Sequence, residues 1–279
     1  MTEQTQMIDD GAFPGLADVA AGFTALRLEA TAERPDRVVA AMDRPEVLNA
    51  IDQTMIDEFH ALSGWLERNP RILIITGTQV EDRKRGGMKG IFASGADIAQ
   101  LRERRRDDAL RGVNSQLFDR LHSLPLPVIA AIDGFCLGGG AELAWAADFR
   151  IATEHVKIGQ PEAGLGITAA AGAQWRLKEL VGEPIALEIL WAGRILDAQQ
   201  ALDLHLVTEL HSPQALMDGA HALADRIGKN DPLAVRVSKR VFHMPRAAHP
   251  HVDELAQAIL FESEAKFDRM QAFLDRKKK

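Results

Sequence analysis

The sequence predicts an α/β fold in which strands and helices alternate, followed by a helical carboxyl-terminal region. Two observations carry this. Short apolar runs ending in glycine, such as "RILIITGT" and "LPVIAAIDGF", read as buried strands, and the segments between them place apolar residues at helical spacing. From Ala169 onward helical patterns dominate. The length of 279 residues suits one or two domains.

Residues 1–22 are polar and carry Gly and Pro, so they are expected to form a loose leader. "FTALRLEA" (Phe23 to Ala30) and "RVVAAMD" (Arg37 to Asp43) follow as strands, and the turn-forming "AERPD" between them suggests a hairpin. Asp52 is a candidate N-cap for a helix whose apolar face is Met55, Ile56, Phe59, Leu62 and Leu66. After the strand "RILIITGT", the charged, glycine-rich "QVEDRKRGGMKG" (Gln79 to Gly90) reads as a loop. "DIAQLRERRRDDALRGV" reads as one long charged helix with a solvated face. "LPVIAAIDGF" is a buried strand, a glycine triplet then opens a helix, and "FRIATEH" is a further strand. In the last segment Leu255, Ile259, Phe267, Met270 and Leu274 form an apolar stripe that needs a partner, in this chain or in another subunit.

The composition excludes several classes. Hydrophobic residues are 46% and charged residues 26%, which is ordinary for a globular protein. The 33 basic against 40 acidic residues give a net charge of -7, which argues against binding nucleic acid or an anionic membrane. Cys136 is the single cysteine, so no intramolecular disulfide or multi-cysteine metal site forms. No stretch reads as a secretory signal or a membrane span, and the expected compartment is the cytoplasm.

Two strand-to-helix junctions hold the chemistry: "FASGAD" (Phe92 to Asp97) and "FCLGGGAE" (Phe135 to Glu142). Small residues let the backbone turn sharply and leave unpaired N–H groups at the first helical turn. If the Ala96 and Gly139 amides point at one spot, they form an oxyanion hole for a carbonyl oxygen that gains charge during reaction. Taken singly, each junction reads more readily as a steric device. Glu142 sits in the first turn behind the triplet and Glu162 in the turn-rich "IGQPEAGLG". Alone, Glu142 reads as a dipole-stabilised or salt-bridged acid and Glu162 as a solvated one; together beside an anion-stabilising pocket they make an acid and base pair. Other chemistries fit less well. Neither junction carries Gly-x-Gly-x-x-Gly, Ser94 is not in a nucleophile elbow, and Cys136 has no neighbour to activate it. His249 and His251 in "HPHV" lack a ligand motif, so no metal site is expected.

With both junctions and both acids in view, the chain resembles the crotonase superfamily, specifically the enoyl-CoA hydratases. The matching pieces are "RPEVLNAID", "FASGADIAQL", "PVIAAIDGFCLGGGAELAWAADFRIA", "IGQPEAGLG" and "AGRILDAQQALDLHLVTEL", in the family's order. The resemblance implies a ββα spiral core over residues 23–210 and a helical region over residues 211–279 that builds a homotrimer or a dimer of trimers. It implies an acyl-CoA thioester substrate and no cofactor or metal. Ala96 and Gly139 would hold the thioester oxygen, and Val47, Leu48, Ala50, Ala96, Asp97, Ile98 and Ala99 would line the coenzyme A path. Glu142 would activate the water that attacks C3, and Glu162 would deliver a proton to C2. A double-bond isomerase or another acyl-CoA enzyme of the same fold is the alternative, and a non-catalytic coenzyme A or RNA-binding role finds support only in the charged segment before Gly90. After Glu162 the chain departs from the family: Ala169 replaces a usual proline, Ala170 and Ala173 usual glycines and Trp175 a usual glutamine, while Gly172 is kept.

Overall fold

The computed structural model describes residues 6–82 and 86–276. The chain divides into two compact units, Met1–Ala224 and Asp225–Lys279. The first therefore runs past residue 210, where the sequence places the end of the core.

Among the described residues the larger unit has eleven strands: β1 (Met7–Ile8), β2 (Leu26–Ala30), β3 (Arg37–Met42), β4 (Ile72–Thr76), β5 (Thr78–Glu81), β6 (Met88–Ala93), β7 (Val128–Ile132), β8 (Phe135–Leu137), β9 (Phe149–Thr153), β10 (Lys157–Gly159) and β11 (Leu210–His211). Seven form one sheet in the order β1-β2-β3-β4-β7-β9-β11, and four form a second in the order β10-β8-β6-β5. The expected hairpin is present, with β2 antiparallel to β3 through Leu26 opposite Met42. From β3 through β11 the large sheet is parallel. Its central strands β3 and β7 are buried at every residue, as parallel strands covered on both faces must be. Successive strands thus divide between two sheets: β4 and β7 lie in the large one, and the strands that directly follow them, β5 and β8, in the small one.

The helix Gln53–Arg68 forms as its pattern predicts. Asp52 accepts a hydrogen bond from Met55 N at 2.9 Å, a cap that stabilises a helix by about 1 kcal/mol, and Met55, Ile56, Phe59, Leu62 and Leu66 are all buried.

Three expectations are corrected. The presumed leader is packed from Gln6 onward: β1 pairs with β2, Leu16–Ala20 is helical, and Phe13 and Leu16 are completely buried. Its first five residues lie outside the described residues. The presumed loop of residues 79–90 is mostly a hairpin, with β5 antiparallel to β6 through Gln79 opposite Gly90. Glu81 is exposed, while the alternation that buries Val80 is too short to stand out in the sequence. The long charged helix is three pieces, Ile98–Glu103, Arg106–Leu110 and Val113–His122. The chain extends at Arg104 and adopts a left-handed conformation at Gly112, and the first two pieces bury no side chain that would hold them in line. The last segment, with its apolar stripe, forms two helices, His251–Phe261 and Glu264–Arg276, the second opened by Ser263, whose Oγ accepts from Lys266 N at 3.3 Å. No described helix is long and apolar enough to cross a membrane.

Candidate active site

The second sheet brings the two junctions together. β6 and β8 are parallel neighbours, so the turns leaving Ala93 and Leu137 emerge at the same end. The first runs through Ser94 and Gly95 to Asp97, which caps the helix Ile98–Glu103 by accepting from Gln100 N at 3.0 Å. The second turns on Gly138, whose φ of 53° and ψ of -128° suit glycine alone, into the helix Gly139–Ala146. A Cβ at Gly139 would lie 3.4 Å from Ala96 N, and one at Gly95 would lie 4.0 Å from Gly139 N. Neither the Ala96 nor the Gly139 amide donates to a described residue. Two unpaired N–H groups therefore border one small space, which is what an oxyanion hole requires.

Both acids reach this end. Glu142 projects from the helix Gly139–Ala146 and is only 4% exposed. Glu162 opens a short 3-10 helix, Glu162–Leu165, directly after β10, which pairs with β8 and so ends beside the second junction. Gln160 ties this loop down by donating from Nε2 to Gly138 O at 3.2 Å. Glu162 Oε1 lies 2.6 Å from where a Cβ of Gly138 would be, so the glycine also makes room for the acid.

Burial pushes the Glu142 carboxyl up to about 7; the Ala173 and Ala171 amides oppose the shift, the Glu162 charge adds to it and Arg176 opposes it. Burial also raises Glu162, against its own backbone amide. Glu142 Oε1 accepts from Ala171 N at 2.7 Å and Ala173 N at 3.1 Å, leaving Oε2 without a described donor. Glu162 Oε2 is buried without a hydrogen-bond partner among the described residues. Donors on a carboxylate favour its ionised form, and their absence favours the neutral acid. The two main-chain donors on Glu142 thus favour its ionised form against the burial that raises it, and Glu162 has only its own backbone amide to do so.

Beneath Glu142, Arg176 holds the turn that supplies these amides. It is 7% exposed, its Nη2 is 2.5 Å from Asp119 Oδ1, and its Nη1 lies 3.5 Å from Ala171 O. Sequence reasoning missed this support. The Ala171 and Ala173 contributions are main-chain groups that any residue but proline supplies, so their identities carry no signal.

The segment expected to line a coenzyme A path adjoins the first junction. Ile51 bridges Ala96 in parallel, Ser94 N donates to Leu48 O at 3.1 Å, and Asp97 N donates to Ile51 O at 3.0 Å. This sets Val47, Leu48 and Ala50 beside Ala96, Asp97, Ile98 and Ala99, with Leu48 and Ile98 exposed. A broad groove next to them is lined by Pro45, Leu48, Phe135, Leu137 and Lys157. Cys136 is fully buried and its thiol is pushed up by burial, as expected of a packed residue. His249, two residues before the helix His251–Phe261, lies beside Asp253, and His251, at the start of that helix, lies beside Glu254.

The family model for enoyl-CoA hydratase/isomerase matches residues 37–279. This chain belongs to that family. A short-chain-enoyl-CoA hydratase of Clostridium acetobutylicum is 34% identical over 86% of this chain and 92% of that protein. A crotonyl-CoA hydratase of Syntrophomonas wolfei is also 34% identical, with the same coverage of both chains. The solved structure of an enoyl-CoA hydratase from Bacillus anthracis superposes with a TM-score of 0.81 at 27% identity, covering 91% of this chain and 97% of that one. The α/β core, with its two sheets and the helices around them, is thus the crotonase fold that the sequence resemblance implies.

Proposed function

We propose that this enoyl-CoA hydratase/isomerase family member is an enoyl-CoA hydratase, adding water across the C2=C3 bond of a trans-2-enoyl-CoA thioester. The observation that supports the reading is the placing of one buried and one half-buried acid with two junction amides that have no described acceptor at one end of the small sheet. The similarity to hydratases of short-chain and crotonyl thioesters makes a short acyl chain the first substrate to test.

The thioester oxygen accepts from Ala96 N–H and Gly139 N–H, which draws electron density from the double bond and makes C3 electrophilic. Ionised Glu142 takes a proton from water as the water oxygen bonds to C3. The electrons of the double bond move toward C2 and the enolate oxygen, and Glu162 delivers its proton to C2. The elements of water are added, leaving a 3-hydroxyacyl thioester, a protonated Glu142 and an ionised Glu162, and transfer of one proton restores the pair. The addition involves proton transfers and attack of water on C3 with no change in overall redox state, so the reading invokes no cofactor or metal. The coenzyme A moiety runs past Leu48 and Ile98.

Homotrimers, alone or in pairs, are part of the same proposal. Leu255, Ile259, Phe267, Met270 and Leu274 on the last two helices are all exposed, and so extensive an apolar surface suits association. The activity is tested by following the conjugated thioester absorbance of crotonyl-CoA: it falls on addition of the protein, and an unchanged trace with folded protein across chain lengths refutes the reading.

A further inference from the structure

The space between Ala96 and Gly139 has a third donor on its border, which the reading above does not use. Asn114 lies in the first turn of the helix Val113–His122 and is partly buried. Its Nδ2 comes within 3.8 Å of the point where a Cβ of Gly139 would be, the same point that lies 3.4 Å from Ala96 N. That vacant Cβ position thus has both the Ala96 amide and the Asn114 amide within 4 Å.

The orientation of the Asn114 amide is set by its other end. Arg104 Nη1 donates to Asn114 Oδ1 at 3.1 Å. Flipping the amide would set its NH2 against the guanidinium, donor against donor, so the oxygen stays on Arg104 and the NH2 stays on Gly139. The charge-assisted bond also polarises the amide and strengthens Nδ2–H as a donor. No described residue accepts from Nδ2. Ala96 N, Gly139 N and Asn114 Nδ2 thus lie close together, each an N–H group with no acceptor among the described residues, and such a cluster fits an oxygen carrying negative charge.

We propose that Asn114 is a third hydrogen-bond donor to the thioester oxygen, held in register by Arg104, and that it stabilises the enolate more than the bound substrate. This rests on the acyl thioester reading of the site and adds a side-chain donor to its two main-chain ones. Removing one donor of an oxyanion hole typically costs about 10²–10³ in turnover; with two amides left in place, Asn114→Leu should lower kcat by about tenfold and leave KM within about twofold. Asn114→Asp, which keeps the shape and sets a carboxylate against the enolate, should fall further. Arg104→Met, which frees the amide to rotate, should fall between wild type and Asn114→Leu.

A second measurement needs no turnover. In the infrared difference spectrum of bound butyryl-CoA, whose saturated chain cannot be hydrated, hydrogen bonding lowers the thioester carbonyl stretch. The stretch should rise part of the way back toward its value in water in Asn114→Leu and Asn114→Asp. An unmoved stretch together with wild-type kcat in Asn114→Leu overturns the inference and leaves the hydratase reading intact. A wild-type protein that binds butyryl-CoA with a lowered, Asn114-dependent stretch but hydrates no enoyl thioester supports Asn114 as donor and overturns the hydratase reading. A wild-type protein that does not bind butyryl-CoA overturns both.

Discussion

Two glutamates are buried to almost the same degree, Glu58 at 6% exposed and Glu142 at 4%, and burial raises both carboxyls. Their partners differ. Glu58 uses both oxygens to bind the chain entering β2: Oε1 accepts from Thr24 N at 2.7 Å, and Oε2 from Ala25 N at 3.0 Å and Leu26 N at 2.8 Å. Glu142 uses one oxygen, leaves the other without a described donor, and has a second acid near enough to raise its proton affinity. A buried acid whose lone pairs are filled by backbone is a fastening. One left half-filled beside another acid is available for chemistry.

That contrast is sharpened by substitution, and the largest effects fall on turnover. Glu142→Gln and Glu162→Gln should each slow crotonyl-CoA hydration by about 10³-fold, the range of general acid–base catalysis, with butyryl-CoA affinity little changed in isothermal titration. A one-base isomerase relying on Glu162 would instead keep much of its activity in Glu142→Gln.

Glu58→Ala should show the opposite pattern. It strands backbone amides in the interior at about 1–3 kcal/mol each, so the melting temperature should fall by roughly 10 °C while activity per folded molecule is retained. Loss of activity without loss of stability would erase the distinction between the two acids.

The pH dependence of stability gives a third, comparable effect. A carboxyl raised in the folded state contributes stability that is complete below its unfolded pKa of 4.5 and is lost as pH rises through about 7. Across that window the wild type should lose up to ~3 kcal/mol relative to Glu142→Gln, seen as diverging urea midpoints. Parallel midpoints from pH 4.5 to 7.5 would mean that Glu142 keeps an ordinary proton affinity.

The smallest effect belongs to the support beneath Glu142. Arg176 lowers the proton affinity of Glu142, so Arg176→Gln should move the acidic limb of kcat/KM to higher pH and cost several-fold in turnover at neutral pH. Arg176→Lys, which keeps the charge but not the two-ended grip on Asp119 and Ala171, should restore the position of the limb more than the rate.

How much of this was legible in the sequence follows from what each part is made of. β7 is apolar throughout and β4 is apolar up to Thr76, and the helix Gln53–Arg68 carries its cap and stripe in side chains, so patterns reveal them. β5 and β6 are held by backbone pairing under charged side chains and were hidden for that reason. The same division runs through the site. Glu142, Glu162 and the glycines are side-chain signals, whereas the Ala171 and Ala173 amides and the Arg104 grip on Asn114 exist only in the fold. The alanine-rich departure from the family after Glu162 concealed a turn whose function is carried by its main chain.

The central claim, that two acids and two junction amides add water to an enoyl thioester, is tested most directly by hydrating crotonyl-CoA in deuterium oxide and examining the product by proton NMR. The account predicts a 3-hydroxybutyryl thioester with one deuterium at C2, formed rapidly by the wild type and about 10³-fold more slowly by Glu162→Gln. Wild-type rates in Glu162→Gln, or crotonyl-CoA recovered with deuterium exchanged but no water added, would contradict it.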